Sequence, residues 1–459
     1  MRVTKLIAIL IFFSHILCAQ NMKKCMTTKL VEYELSINKD YEQARANLLS
    51  ETRNLNSSSS ERGSAIIIPV VVHVVHRNTH SSVGSGTNIS NAQIEDQIRI
   101  LNEDYSKTNS EFPNPPRSTF KNIAGNANLQ FCLASEDPQG NPTTGITRTS
   151  TTRTNFDADD NNDANAMKLN STGGKNGWDP YNYLNIWVCD LTNSSGGGMT
   201  LGYAYLPGLL AGFGSNAWKD GLVVDYRYFG TTGVAAPSSD GRTATHEIGH
   251  YLGLNHTFCE TGTGSCCDND NNIGWPLSFT SVDDTPPTNG VYWSFVNASY
   301  PSTSSGSYNS CNDFAYGFNS DMPDMHENFM SYALNTWMFS NGQVDVMNSV
   351  LNRSETQAGR SSLKNGSVPV NCSTLGIQEN IINDFTIYPN PANGRIKISS
   401  KNNLHINTIK IFSIVGKNVH YINNYRSEIE LDLTHLTSGV YFVDISTDEG
   451  TISKRLIIN

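Results

Sequence analysis

Residues 246–256 read HEIGHYLGLNH. His246 and His250 stand four apart. On a helix that spacing puts both imidazoles on one face, about 6 Å apart at the backbone, close enough to share one Zn²⁺. Glu247 sits beside the first histidine and reaches a metal-held water without itself being a ligand. Gly253 takes a positive φ at no steric penalty, so the helix stops there, the chain turns, and His256 approaches the same metal from below. Three neutral imidazoles leave one position for water, as a catalytic zinc site requires. An amphipathic helix with surface histidines would account for the pair but for neither Gly253 nor Glu247. Structural zinc takes four protein ligands, often Cys, and would leave Glu247 unexplained.

The surrounding sequence predicts where this helix sits. Residues 65–76 (AIIIPVVVHVVH) are β-branched and apolar, like a strand buried on both faces. Residues 90–106 read as a helix opened by a Ser90/Gln93 capping box, with Ile94, Ile98 and Leu101 on one face. Strands are expected over 128–134, 183–191 and 221–229, then the histidine helix over 242–252. A Ser/Asn/Gly-rich loop region covers 257–324, and a last helix, 343–351, starts at a Ser340/Gln343 capping box. This mixture predicts an α/β domain. From residue 385 the pattern changes to short strands and turns, which predicts a small all-β sandwich. The expected divisions are 1–19 signal peptide, 20–62 pro-segment, 63–355 catalytic domain, 356–380 linker and 381–459 sandwich. The pro-segment ends in the Ser-rich run 57–60, flanked by Arg53 and Arg62, which is open to proteases.

Composition fits an exported protein. The chain has 459 residues, too many for one ordinary domain. With 38% hydrophobic and 16% charged residues it can bury a core. A net charge of -10 without a Lys/Arg cluster argues against nucleic acid or anionic membrane as a partner. The N-terminus, MRVTKLIAILIFFSHILCAQ, has the short basic and apolar regions of a secretory signal. Leu17 precedes Cys18 where a lipid-anchor motif wants a small residue, and no other stretch is apolar and long enough to span a bilayer. Export permits disulfides, and Cys259, Cys266, Cys267 and Cys311 form a local group expected to make one or two bridges, with the pairing open. His73, His76 and His326 lack a partner at ligand spacing and read as structural.

Downstream, residues 328–332 read NFMSY. Together with the histidine helix this resembles the metzincins, in which HExxHxxGxxH is followed by a Met-containing turn beneath the metal. More narrowly, residues 66–351 resemble the pappalysin family, through FCLASEDPQGNPTTGITR, YLNIWVCDL, GYAYLPG, DYRYFGTTG, GRTATHEIGHYLGLNHTF, DDTPPT, ENFMSYA and MFSNGQ. The resemblance implies a metzincin-like α/β catalytic domain with a mixed twisted sheet and a secreted zinc endopeptidase acting on proteins or peptides. Met330 would be the turn methionine and Tyr332 the tyrosine that meets the reacting carbonyl. It further implies a latent precursor in which Cys25 binds the zinc, although Met26 stands where the family pattern has Gly. Relatives carry structural calcium in this region, for which Asp268, Asp284 and Thr285 offer hard oxygen donors. Residues 385–459 resemble the sorting domain of the type IX secretion system of Bacteroidetes, through FTIYPNPANGRIKI, IKIFSIVGK and LTSGVYFVDI. That implies the outer-membrane secretion machinery as a partner and a secreted or cell-surface protein. A catalytically inactive surface-binding protein on the same scaffold is the competing function, and it would have no need of Glu247 or Tyr332.

Overall fold

In the computed structural model the described residues are 21–37, 43, 47, 65–194, 198–210, 216–236, 238–258, 282, 284–297, 309–316, 318–372, 385–401, 405–413, 417–447 and 450–459. The signal peptide, the Ser-rich cleavage region, Cys259, Cys266, Cys267 and Asp268 lie outside them.

A mixed sheet forms the floor of the larger domain. Its strands are β1 (Asn21–Cys25), β2 (Ile66–Arg77), β3 (Leu129–Ala134), β4 (Ile146–Thr151), β5 (Leu184–Cys189), β6 (Gly198–Ala204), β7 (Leu222–Asp225) and β8 (Val370–Asn371). They run in the order β1-β6-β7-β5-β2-β3-β8, with β4 also on β2. The first half of β2 pairs with β3 and the second half with β4, both parallel, while β5 holds its other edge. A strand with neighbours on both edges and layers on both faces is apolar throughout, and Ile68, Val70, Val71, Val72 and Val74 are buried accordingly.

Helix α1 (Thr27–Ile37) follows β1; α2 (Asn91–Tyr105) and α3 (Arg242–Tyr251) pack on the sheet; α4 (Asn341–Asn352) and α5 (Ser361–Asn365) come last. Ile94, Ile98 and Leu101 of α2 share one core with Ile248 of α3 and Met347 of α4. The Ser340/Gln343 capping box is complete. At α2 only Ser90 caps; the Gln93 amide instead donates to the carbonyls of Tyr226 and Phe229, tying α2 to the loop after β7. Those contacts also explain why β7 is shorter than the strand expected over 221–229.

Two further differences matter. Residues 21–25, within the expected pro-segment, form strand β1. Residues 356–372, expected as linker, belong to the catalytic domain. Arg360 is buried on Asp220, β8 pairs with β3, and a disulfide joins Cys132 to Cys372. Beyond them, β9 (Phe385–Tyr388), β10 (Arg395–Ser400) and β13 (Glu428–Asp432) make one sheet. β11 (Ile406–Ser413), β12 (Asn418–Arg426), β14 (Gly439–Thr447) and β15 (Gly450–Ile458) make another, and both contribute to one apolar core, as the sandwich expectation requires. No helix among the described residues is long and apolar enough to cross a membrane.

Candidate active site

Helix α3 carries the first two histidines and is fixed at both ends. At its start, Arg242 pairs with Asp104 of α2 at 3.0 Å and Thr245 donates to the same carboxylate at 2.7 Å. At its end, Arg360 donates to Tyr251 O at 2.7 Å and lies over the Tyr251 ring. Gly253 has φ 97°, which lets the chain reverse and return His256 to the helix.

The three imidazoles converge. Nε2 of His246 lies 3.0 Å from Nε2 of His256 and 3.1 Å from Nε2 of His250, and His250 to His256 is 3.1 Å. Tetrahedral zinc with ordinary Zn–N bonds holds imidazole nitrogens roughly 3.3 Å apart. The protons can be assigned. His246 Nδ1 lies 2.7 Å from Phe329 O and His250 Nδ1 lies 2.8 Å from Leu254 O. A carbonyl oxygen only accepts, so both Nδ1 atoms donate and both Nε2 atoms present lone pairs. Two lone pairs facing at 3.1 Å repel unless a cation lies between them. Burial and then the neighbouring His256 hold His246 well below the usual imidazole range, which favours a neutral ring. The donor set fits a zinc ion.

Glu247 is buried beside them. Its Oε2 lies 3.4 Å from Cys25 Sγ and 3.2 Å from the Thr27 hydroxyl, whereas Oε1 meets no donor among the described residues. Burial raises its carboxyl to about 8, opposed by the hydrogen bonds from Cys25 and Thr27. Cys25 Sγ and the three histidine nitrogens all lie within 4.8 Å of one another. Met330 is wholly buried against α3, where a Cβ at Gly249 would fall 2.3 Å from its sulfur and force it to shift. The Tyr332 ring stands 5.6 Å from the His246 ring and 5.0 Å from that of His256.

Sequence reasoning missed how Cys25 is delivered. β1 pairs parallel with β6, placing Cys25 opposite Gly202. Lys24 reaches the Tyr332 carbonyl at 2.6 Å inside a cleft of about 380 Å³. Met26, Leu30 and Val31 join a core with Tyr203 and Tyr205, and Glu34 pairs with Lys219 at 2.8 Å. The signal available was KKCMTTKLVEYEL, a short polar run followed by apolar residues at helical spacing.

Of the calcium candidates, Asp284 accepts from Gly342 N at 2.9 Å at the start of α4, and the Thr285 hydroxyl donates to Val282 O at 3.0 Å. Cys311 is disulfide-bonded, its partner lying outside the described residues. His73 is held by Thr147 and Asn185, and His326 stacks on Tyr292.

Residues 168–352 match the family profile of pregnancy-associated plasma protein-A, and residues 386–459 match that of the secretion system C-terminal sorting domain. A curated extracellular metalloprotease of Pyricularia oryzae is 30% identical over 233 residues, covering 50% of this chain and 60% of that protein. A second, from Arthroderma benhamiae, is 29% identical over 48% of this chain and 64% of that protein, so the chain spans less than two thirds of either relative. Among solved structures, mature mirolysin of Tannerella forsythia in complex with a cleaved peptide is 36% identical, with a TM-score of 0.52, over 67% of this chain and 100% of that one. A promirolysin mutant from the same organism is 33% identical, with a TM-score of 0.57, over 76% and 100%. The sorting domain marks the protein for secretion or the cell surface. Convergent histidines and these likenesses agree: the chain belongs to the pappalysin family of metalloproteases.

Proposed function

We propose that this protein is a secreted zinc endopeptidase made as a latent precursor. The observation that carries the proposal is the convergence of the three histidine Nε2 atoms, 3.0 to 3.1 Å apart, with Cys25 Sγ beside them. His246, His250 and His256 would hold zinc. Bound there, zinc supplies a Lewis acid and a water acidified toward neutral pH. Glu247 takes the proton of the attacking water at Oε1 and delivers it to the departing amine. Tyr332 donates to the carbonyl oxygen as negative charge develops on it. The edge of β6, vacated by β1, aligns an extended peptide by backbone hydrogen bonds.

In the precursor, Cys25 would hold the metal together with the three histidines, and β1 fills the peptide's place. Cutting between Arg53 and Gly63 releases both. The promirolysin neighbour supports a precursor of this kind. A structural calcium near Asp268, Asp284 and Thr285 belongs to the same proposal, supported by their oxygen donors alone. The sorting sandwich would be engaged by the outer-membrane secretion machinery and is supported by its family match.

The test is cleavage of a peptide library by the matured protein, with metal analysis, before and after chelation. Cleavage that chelator abolishes and zinc restores is expected. A zinc-loaded, matured protein that cuts nothing would leave a surface-binding protein instead.

A further inference from the structure

Asn328 and Gln343 are both wholly buried, one ahead of the methionine turn and one in the first turn of α4. Their amide orientations follow from their neighbours. Met330 N–H lies 2.9 Å from an Asn328 side-chain atom, which must be the oxygen Oδ1. Nδ2 therefore turns to Gln343 Oε1 at 2.7 Å. Ser340 N–H points at that same Oε1 at 2.9 Å, which confirms it as oxygen. Gln343 Nε2 then donates back to Asn328 Oδ1 at 3.2 Å and closes an amide–amide ring. A capping box needs only Oε1 of the glutamine; Nε2 and the bond from Asn328 are additional.

This ring joins a fixed element to the site. On one side α4 is anchored by Val344, Val346 and Met347 in the main core. On the other, the ring holds the backbone on both sides of Phe329: Asn328 directly, and Met330 through its N–H. Phe329 N–H donates to Met338 O at 2.8 Å, and its carbonyl accepts from His246 Nδ1 at 2.7 Å. That carbonyl sets the tautomer and the ring orientation of His246.

We infer that Asn328 and Gln343 are positioning residues for the metal site, acting through the Phe329 carbonyl on His246. The inference rests on His246 being a metal ligand as proposed above. It gives a role to the Asn of NFMSY and the Gln of MFSNGQ beyond helix capping.

The test compares Ser340→Ala, Gln343→Met, Gln343→Glu and His246→Ala in the full chain. Zinc affinity is measured by competition with a chromogenic chelator, and thermal midpoints are taken without metal. Ser340→Ala removes only the cap, so its midpoint should fall while zinc affinity stays within about two-fold of wild type. Gln343→Met keeps volume but deletes the amide, and Gln343→Glu keeps the cap but faces Asn328 Oδ1 with a second acceptor. Both should weaken zinc binding about 10- to 100-fold, the range for partners that orient a metal-binding histidine. Should Gln343→Met fail to fold, Gln343→Glu decides. Wild-type zinc affinity in folded Gln343 variants, with His246→Ala losing the metal, would overturn the inference alone. Zinc affinity unchanged in His246→Ala would overturn the ligand assignment and this inference with it.

Discussion

Glu247 is held in an unusual state for a carboxylate. It is buried, its carboxyl raised to about 8, and one of its oxygens has no donor among the described residues. Glu247→Gln keeps the shape and removes the proton acceptor. The variant should keep its zinc by elemental analysis and lose about 10²- to 10⁴-fold in kcat on a peptide substrate. Near-normal turnover would assign the proton transfer elsewhere. Tyr332→Phe tests a different atom. The ring should still pack against His246 and His256, so KM should change little while kcat falls on the order of 10²-fold. An unchanged kcat would reduce Tyr332 to packing. The convergence of the three histidines was legible because metal chemistry constrains spacing: two histidines at i and i+4, then a glycine that permits the return of a third. Asn328 and Gln343 were visible as letters in NFMSY and MFSNGQ but not as a pair. Fifteen positions apart, they meet only because Asn328 bridges to Met338 just before α4 begins.

Among the elements, β1 and α1 would carry the proposed latch together. β1 was not legible because NMKKC has no alternating apolar pattern. A strand added to a sheet edge is held by its backbone, and its side chains can face a cleft instead of a core. α1 contributes separately by burying Leu30 and Val31 against the core around Tyr203 and Tyr205. Each such side chain contributes roughly 1.5–3 kcal/mol when fully buried. Val31→Asp should therefore loosen the pro-segment with Cys25 intact. Precursor carrying it should activate at least about ten-fold faster than wild type in a time course, as Cys25→Ala should. If only Cys25→Ala speeds activation, the helix is a passenger and the thiol alone holds the latch. α4 was readable from its capping box, and its observed start at Asn341 follows Ser340 as that box demands.

For the whole molecule, the unexpected boundary lies after residue 372. Residues 356–372 are short on apolar periodicity, so composition made them a linker. Two non-periodic anchors hold them instead. Arg360 makes a buried two-pronged pair with Asp220 at 2.5 and 2.8 Å while also donating to Tyr251 O, and Cys372 closes a loop of 240 residues with Cys132. Removing one partner of a buried ion pair costs about 3–5 kcal/mol, and losing such a disulfide about 2–5 kcal/mol. A chain ending after Cys372 should keep the catalytic domain's thermal midpoint. One ending at Glu355 should unfold at a midpoint lower by at least about 5 °C in calorimetry. Equal midpoints would return the segment to the linker. The sandwich itself was legible because alternating strands punctuated by turns leave few other ways to bury one face.

The parallel pairing of β1 with β6 has a bearing on traffic as well as on latency. A bare sheet edge is adhesive: its amides and carbonyls will accept any extended chain, including one from an identical molecule. While β1 is in place, Asn21 to Cys25 covers β6 from Gly198 to Gly202. In the proposed precursor that edge would travel shielded, and excision would expose it only at the destination. Matured protein should scatter more light than precursor at equal concentration, and an inhibitory peptide laid along β6 should restore the precursor's monodispersity.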